Sequence, residues 1–305
     1  MSQPLTFRCM AEGGEAKPSK AKVFAQRLGS TAFLYGVLLV GLFAQNETLS
    51  RVAFCGIITL LGALALLEFF NMAEKRRLAP FKLMGIGAGV GLILAVFWSL
   101  AIRGNAGLAV DIEFATVICL VPILGICQLF APKSNGSIAP MASTLFGIIY
   151  VALMLSVLQM IRYFDDQGHW WLLYFIVVSK MSDTGAYCVG SLIGKHKMIP
   201  RVSPGKTWEG FAGGIAFSIL SSWAFFSFAN SYFTGMTFKW AIALGAVLGV
   251  GSVLGDLIES LMKREADVKD SGSFFPGIGG ILDLLDSLLF NAPIMYLVLK
   301  YGLAA

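Results

Sequence analysis

FKWAIALGAVLGVGSVLGDLIESLM, residues 238–262, decides the fold. It is longer than the ~20 apolar residues that carry a helix across a hydrocarbon core of about 30 Å. Nothing ionisable interrupts it between Lys239 at one end and Asp256 and Glu259 near the other. A soluble core helix alternates polar and apolar faces. This one is apolar all round and reads as a membrane span.

Eight further stretches have the same character: 28–44, 52–70, 83–102, 112–131, 141–161, 170–190, 208–229 and 279–299. The composition agrees. Of 305 residues, 57% are hydrophobic and only 13% are charged, where an average soluble protein carries about 25% charged residues. That balance excludes a disordered chain and a secreted disulfide scaffold, and leaves too few ionic groups to cover a soluble domain. The expected fold is therefore an all-α polytopic integral membrane protein of about nine transmembrane helices. Residues 1–27 form a polar cytosolic arm without the apolar core of a signal peptide. Residues 28–305 form a single transmembrane domain, because the connecting segments are too short for another.

Lysine and arginine set the expected orientation. With the N-terminus in the cytosol, seventeen basic residues fall on cytosolic segments and five (Arg51, Arg103, Arg162, Lys239, Lys300) on the opposite side. That bias predicts the N-terminus inside and the C-terminus outside. It also accounts for the formal net charge of +5. The basic loops lack interleaved aromatics, so no nucleic-acid partner is expected. Five cysteines without CxxC spacing read as packing residues.

The chemistry lies in the ionisable residues that the spans contain. Such a residue costs about 2.5–3.5 kcal/mol at a helix centre, and Glu68, Lys180, Asp183, Asp256, Glu259, Asp283 and Asp286 all sit in or at the ends of spans. At about 1.5 Å per residue, Asp183 lies about 10 Å from the cytosolic boundary, Asp256 about 3 Å and Asp283 about 7 Å. Three helices thus bring carboxylates to one shallow layer, an oxygen-rich set that suits a hard cation such as Mg²⁺. Lys180 and Asp183 are i,i+3, as are Asp256 and Glu259, and Asp283 and Asp286; each pair shares a helix face. Glu68 reads more simply as structural. Glycines at GxxxG spacing (Gly85/Gly89, Gly210/Gly214, Gly245/Gly249, Gly251/Gly255) read as close-packing faces.

Two cytosolic loops face that layer. GKHKMIPRVSPGKTWEG, residues 194–210, brings Lys195, His196, Lys197, Arg201 and Lys206 to a Ser203-Pro204-Gly205-Lys206-Thr207 turn that opens a helix. Backbone N–H groups and an ammonium there suit a phosphate, although no Walker frame is present. KREADVKDSGSFFPGIGG, residues 263–280, brings Lys263, Arg264 and Lys269 before a glycine hinge.

These residues carry a resemblance. Gly255-Asp256-Leu257-Ile258-Glu259-Ser260-Leu261-Met262-Lys263-Arg264, then Lys269-Asp270, Pro276-Gly277-Ile278-Gly279-Gly280-Ile281-Leu282-Asp283 and Asp286-Ser287, resemble the signature of the phosphatidate cytidylyltransferases, or CDP-diacylglycerol synthases. Asp183-Thr184-Gly185-Ala186-Tyr187, Gly194-Lys195-His196-Lys197 and Ser203-Pro204…Lys206-Thr207…Glu209-Gly210 resemble the family's second block. Together the blocks cover about residues 180–290. Three positions depart from the pattern: Ile278 stands where the family has His, Leu284 where it has Arg, and Gly205 where it has a lysine. Roles needing those groups are not carried over.

The resemblance implies transfer of CMP from CTP to phosphatidic acid at the cytosolic face of a bacterial inner membrane or its equivalent. Products are CDP-diacylglycerol and pyrophosphate. It implies Asp256, Asp283, Lys206 and Asp183 as catalytic residues, with Asp256, Asp283, Asp286 and Glu259 holding Mg²⁺; a second, monovalent or divalent, cation is left open. Lys195, His196, Lys197, Arg201, Ser203, Thr207, Lys263, Arg264 and Lys269 are the implied substrate-binding set. A homodimer through the glycine-rich faces stays open. A cation- or proton-coupled transporter is the alternative from another class, and a polyprenol or phytol kinase the alternative lipid-phosphate transferase. The transporter would place its polar residues near the midplane and carry an internal repeat, which this chain does not show.

Overall fold

The computed structural model describes residues 36–131, 137–272 and 279–303. The arm over 1–27, Cys9, the first span as far as residue 35, Lys133 and Pro276-Gly277-Ile278 lie outside the described residues.

Nine helices follow one another in the described residues. They are α1 (36–43), α2 (Glu47–Lys75), α3 (Lys82–Phe97), α4 (Ala106–Phe130), α5 (Ala139–Arg162), α6 (Gly168–Ile193), α7 (Trp208–Ala229), α8 (Phe238–Glu265) and α9 (Ile281–Val298). Their starts are written in the sequence. The side chains of Asn46, Asn105, Thr207 and Thr237 each accept a hydrogen bond from a first-turn amide, which satisfies donors a helix cannot pair internally. Inside α5 the turn Ile148–Leu153 is π-helical.

Seven of these helices, counting α3, α7 and α9 with their short C-terminal extensions, are long and apolar enough to cross a membrane. The chain is thus an all-α polytopic membrane protein. Helix α6 has the length but carries Lys180 and Asp183 at its centre, so its apolar run is broken. Helix α4 shows the setting best. Phe114, Ile118, Ile126, Leu129 and Phe130 are all exposed along it, a surface that only lipid suits.

Helices α6, α7, α8 and α9 pack in series, and α2, α3 and α5 form a second group that meets them through α9 and through the contact of α5 with α6. Glycine sets how closely they approach. A Cβ at Gly255 on α8 would stand 2.7 Å from the carbonyl oxygen of Asp286 on α9, and one at Gly214 on α7 would stand 3.0 Å from the carbonyl of Ser182 on α6. The GxxxG positions are close-packing faces, as the sequence leads one to expect.

The segment 194–210 is more than a loop. Strands β1 (Lys197–Ile199) and β2 (Ser203–Thr207) pair antiparallel, with Lys197 opposite Thr207 and Ile199 opposite Ser203. The hairpin is seated by Val202, which packs on Val253 and Leu257 of α8 with Met198 and Phe211. Glu209 closes its base, accepting from the amides of Lys195 at 3.1 Å and His196 at 3.2 Å and pairing with His196 Nδ1 at 2.6 Å.

Candidate active site

Four helices bring ionisable groups to one end of the bundle. Helix α8 contributes Asp256 and Glu259, one turn apart on one face, and α9 contributes Asp286. Their carboxylate oxygens lie within 4.8 Å of one another. The close approach at Gly255 makes this meeting possible, because any side chain there would hold α9 away. Glu259 is fully buried, and its Oε1 has no hydrogen-bond donor among the described residues.

Three lysines are threaded between the acids. Lys206 of β2 reaches Asp256 Oδ2 at 2.8 Å and the Val253 carbonyl at 3.1 Å. Lys263 donates to Glu259 Oε2 at 3.1 Å and Asp283 Oδ1 at 2.6 Å. Lys180 lies 3.4 Å from Asp183 Oδ2 and 3.5 Å from Asp286 Oδ1, and donates to Ser287 Oγ at 2.9 Å. The i,i+3 pair of α6 therefore extends into a bridge to α9. The ion-paired groups are five carboxylates and three ammonium groups, so the acids are in excess.

Asp283 stands one turn before Asp286 and is held differently. Its Oδ2 accepts from Gly280 N at 2.8 Å and from Ser271 N at 3.0 Å, with Ser271 Oγ also 3.0 Å away. It closes the N-terminus of α9, and the acids that cluster are Asp256, Glu259 and Asp286.

Between α6, the hairpin and α8 lies a cleft of about 410 Å³ lined by Asp183, Tyr187, Ser203, Lys206, Thr207 and Asp256. The other predicted substrate residues lie around it. Thr207 Oγ1 accepts from Gly210 N at 3.1 Å as the cap of α7. Lys195, His196, Lys197 and Arg201 are exposed on the hairpin. Arg264 donates to the Val202 carbonyl at 3.2 Å, and Lys269 is exposed.

Two residues outside the sequence-derived set belong to the site. Glu68 of α2 accepts from Ile281 N at 3.0 Å, Leu282 N at 2.9 Å and Ser271 Oγ at 3.0 Å. It binds the start of α9 and the preceding segment, and Gly272 and Gly280 leave it room: a Cβ on either would collide with its carboxylate. Tyr150, in the π-helical turn of α5, has a buried hydroxyl without a partner among the described residues and lies in the field of Glu259, Asp286 and Asp256. A lone acid in an apolar span carries a weak signal in sequence, and a lone tyrosine carries none.

A polytopic helical protein with clustered carboxylates, interleaved lysines and a polar cleft at one end of the bundle has the form of a membrane enzyme acting on phosphorylated substrates. Comparison with known proteins narrows the class. Residues 25–302 match the cytidylyltransferase family, and the chain belongs to it. It is 32% identical over 266 residues to the phosphatidate cytidylyltransferase of Bacillus subtilis (strain 168), covering 87% of this chain and 96% of that one. The namesake from Staphylococcus aureus (strain COL) is 32% identical over 242 residues, 79% of this chain and 87% of its own. That of Chlamydia trachomatis serovar D is 41% identical over 183 residues, 56% and 60% respectively.

Proposed function

We infer that the chain is a nucleotidyltransferase that moves the cytidylyl group of CTP to phosphatidate, as its relatives' names describe. The observation that carries this reading is the cluster of Asp256, Glu259 and Asp286 at the wall of the cleft, in a member of the cytidylyltransferase family.

The attacking phosphate monoester has a second pKa of about 6, so its oxygen is already nucleophilic at neutral pH and needs no general base. It forms a bond to the α-phosphorus of CTP. The bond from that phosphorus to the bridging oxygen breaks, and pyrophosphate leaves with the electron pair. Two anions must approach each other, so charge is the obstacle. The donor set fits Mg²⁺: hard carboxylate oxygens, one of them buried and undonated among the described residues, and an excess of acids over lysines. Asp256, Glu259 and Asp286 would hold the ion, which when bound neutralises phosphate charge.

The chain's own groups do the rest. Lys206 and Ser203, in the cleft wall, bind phosphate oxygens of CTP. Lys195, His196, Lys197 and Arg201 on the hairpin, with Thr207, extend that positive surface. Lys263 and Lys180, each drawn between two acids, hold the carboxylates at fixed separation, and Asp283 fixes the start of α9. Asp183 shapes the cleft, while Arg264 and Lys269 receive the leaving pyrophosphate. A narrow apolar crevice of about 60 Å³, lined by Leu38, Ile57, Leu172, Leu284 and Leu288, reaches Lys180. It offers acyl chains a path to the same layer.

The finer topology belongs to this reading as well. Nine spans with a cytosolic N-terminus place the cluster beneath the inner leaflet of a bacterial membrane, where CTP is available. The arm over 1–27 precedes a single catalytic domain, and the glycine faces suit a homodimer.

The test is an assay of full-length protein in membranes with radiolabelled CTP and phosphatidic acid, with and without Mg²⁺. Labelled CDP-diacylglycerol that requires both the lipid and the ion is expected. Absence of a labelled lipid under all conditions overturns the assignment.

A further inference from the structure

The end of the bundle opposite the acidic cluster has chemistry of its own. His169 and Asp183 on α6 are fourteen positions apart, about 21 Å along the axis. Around His169 the ends of α1, α3 and α5 and the start of α2 enclose a cleft of about 600 Å³. Two of the five basic residues on this side of the chain, Arg51 and Arg162, line it.

They are not equivalent. Arg51 is satisfied: Nη1 donates to the Ala101 carbonyl at 2.7 Å and Nη2 pairs with Glu47. Arg162 has no carboxylate within ion-pair distance among the described residues. Its Nε is buried and unpartnered, and its one hydrogen bond, to Ser50 Oγ, is 3.5 Å long. The Ser50 proton is already given to the Gly41 carbonyl at 2.7 Å, so that oxygen acts only as an acceptor. The guanidinium lies over the Tyr163 ring at 5.2 Å, and the Tyr163 hydroxyl is also buried without a partner among the described residues.

The nearby acids do not neutralise Arg162. Glu47 serves Arg51. Asp165 spends both oxygens within its own turn, accepting from Gln167 N at 2.9 Å and Trp171 Nε1 at 3.2 Å. Asp166 is exposed at the rim. A guanidinium offers five N–H donors in a planar fork, and leaving its buried Nε unmatched is costly. What matches it is an oxyanion that accepts two parallel N–H bonds. Leu42, Phe43, Leu100 and Phe164 give the same cleft apolar walls.

We propose that this cleft binds a phosphate oxyanion, with the Arg162 guanidinium and the Tyr163 hydroxyl as its donors. The site is separate from the catalytic cluster and independent of its chemistry. The phosphate belongs either to a phospholipid headgroup of the adjacent leaflet or to a free phosphate ion.

Native mass spectrometry of the full-length protein in detergent, with added phosphatidylglycerol, reads the first source. Melting temperature with added inorganic phosphate reads the second. Arg162→Gln is expected to weaken retention of the tightest-bound phosphatidylglycerol by roughly tenfold, and Tyr163→Phe by about threefold. CTP-dependent turnover stays within about twofold, since neither residue is near the cluster. If lipid retention falls in the variants while phosphate leaves the melting temperature unchanged, the ligand is a headgroup. If phosphate raises the wild-type melting temperature and not that of Arg162→Gln, the ligand is the bare ion. Tyr163→Phe removes a hydroxyl with no folded-state partner, so it keeps the test open if Arg162→Gln does not fold. Retention and melting that are the same in wild type and the folded variants overturn the proposal.

Discussion

Asp256→Asn is expected to lower CTP-dependent turnover by about 10³-fold or more, equivalent to about 4 kcal/mol of transition-state stabilisation. The substitution is nearly isosteric but removes one of three clustered negative charges. It also weakens the 2.8 Å ion pair with Lys206 to a hydrogen bond onto a neutral amide oxygen, while the Val253 carbonyl contact stays. Asp256 is about one-third exposed in the cleft wall and supports no backbone amide, so the melting temperature should change little. Initial rates and a thermal melt on the same preparation check this. Turnover within tenfold of wild type would remove Asp256 from the machinery. Asp283→Asn should differ, because Asp283 caps a helix and pairs with Lys263. Stability falls there along with the rate.

Glu68→Gln is the second large effect, and it acts at a distance. The Glu68 carboxylate accepts three hydrogen bonds from the start of α9 and the segment before it. Two come from first-turn amides, where a negative charge is favoured by the helix dipole. Glutamine keeps one acceptor oxygen and turns an NH₂ group toward a donor that then has no partner. The expected cost is about 3 kcal/mol of stability. Turnover should fall about 10- to 100-fold, because Asp286 rides on the helix that Glu68 holds. A melting curve and the CTP KM and kcat separate the roles: kcat and stability should fall while KM for CTP stays close to wild type. A normal melt with a raised KM would make Glu68 a nucleotide contact instead.

Hydropathy made most of the architecture legible, since an uninterrupted apolar run has few structural alternatives. The layer of acids was legible too, because helical rise converts sequence position into depth. Depth arithmetic could not tell which carboxylates touch. Asp283 and Asp286 share a face, yet Asp286 is the one that approaches both Asp256 and Glu259, while Asp283 shares Lys263 with Glu259. Gly280 caps α9 and places Asp283 where its side chain turns back to the Gly280 amide. The Gly-Gly-Ile-Leu-Asp spacing holds that information once the helix start is known. The hairpin over 197–207 escaped because three- and five-residue strands show no alternation of their own and are fixed by Val202 packing on α8. Glu68 reads as structural in the sequence and is so in the fold, but what it holds was not legible. Its partners lie more than two hundred residues away, and no local pattern encodes a contact of that range.

The account rests on carboxylates of two helices forming one cation-sized site. Binding of Mn²⁺, followed by electron paramagnetic resonance on the purified full-length protein without nucleotide, measures this directly. One tight site in the wild type, lost in both Asp256→Asn and Asp286→Asn and retained in Arg162→Gln, is the predicted result. Unchanged Mn²⁺ affinity in either aspartate variant would contradict it.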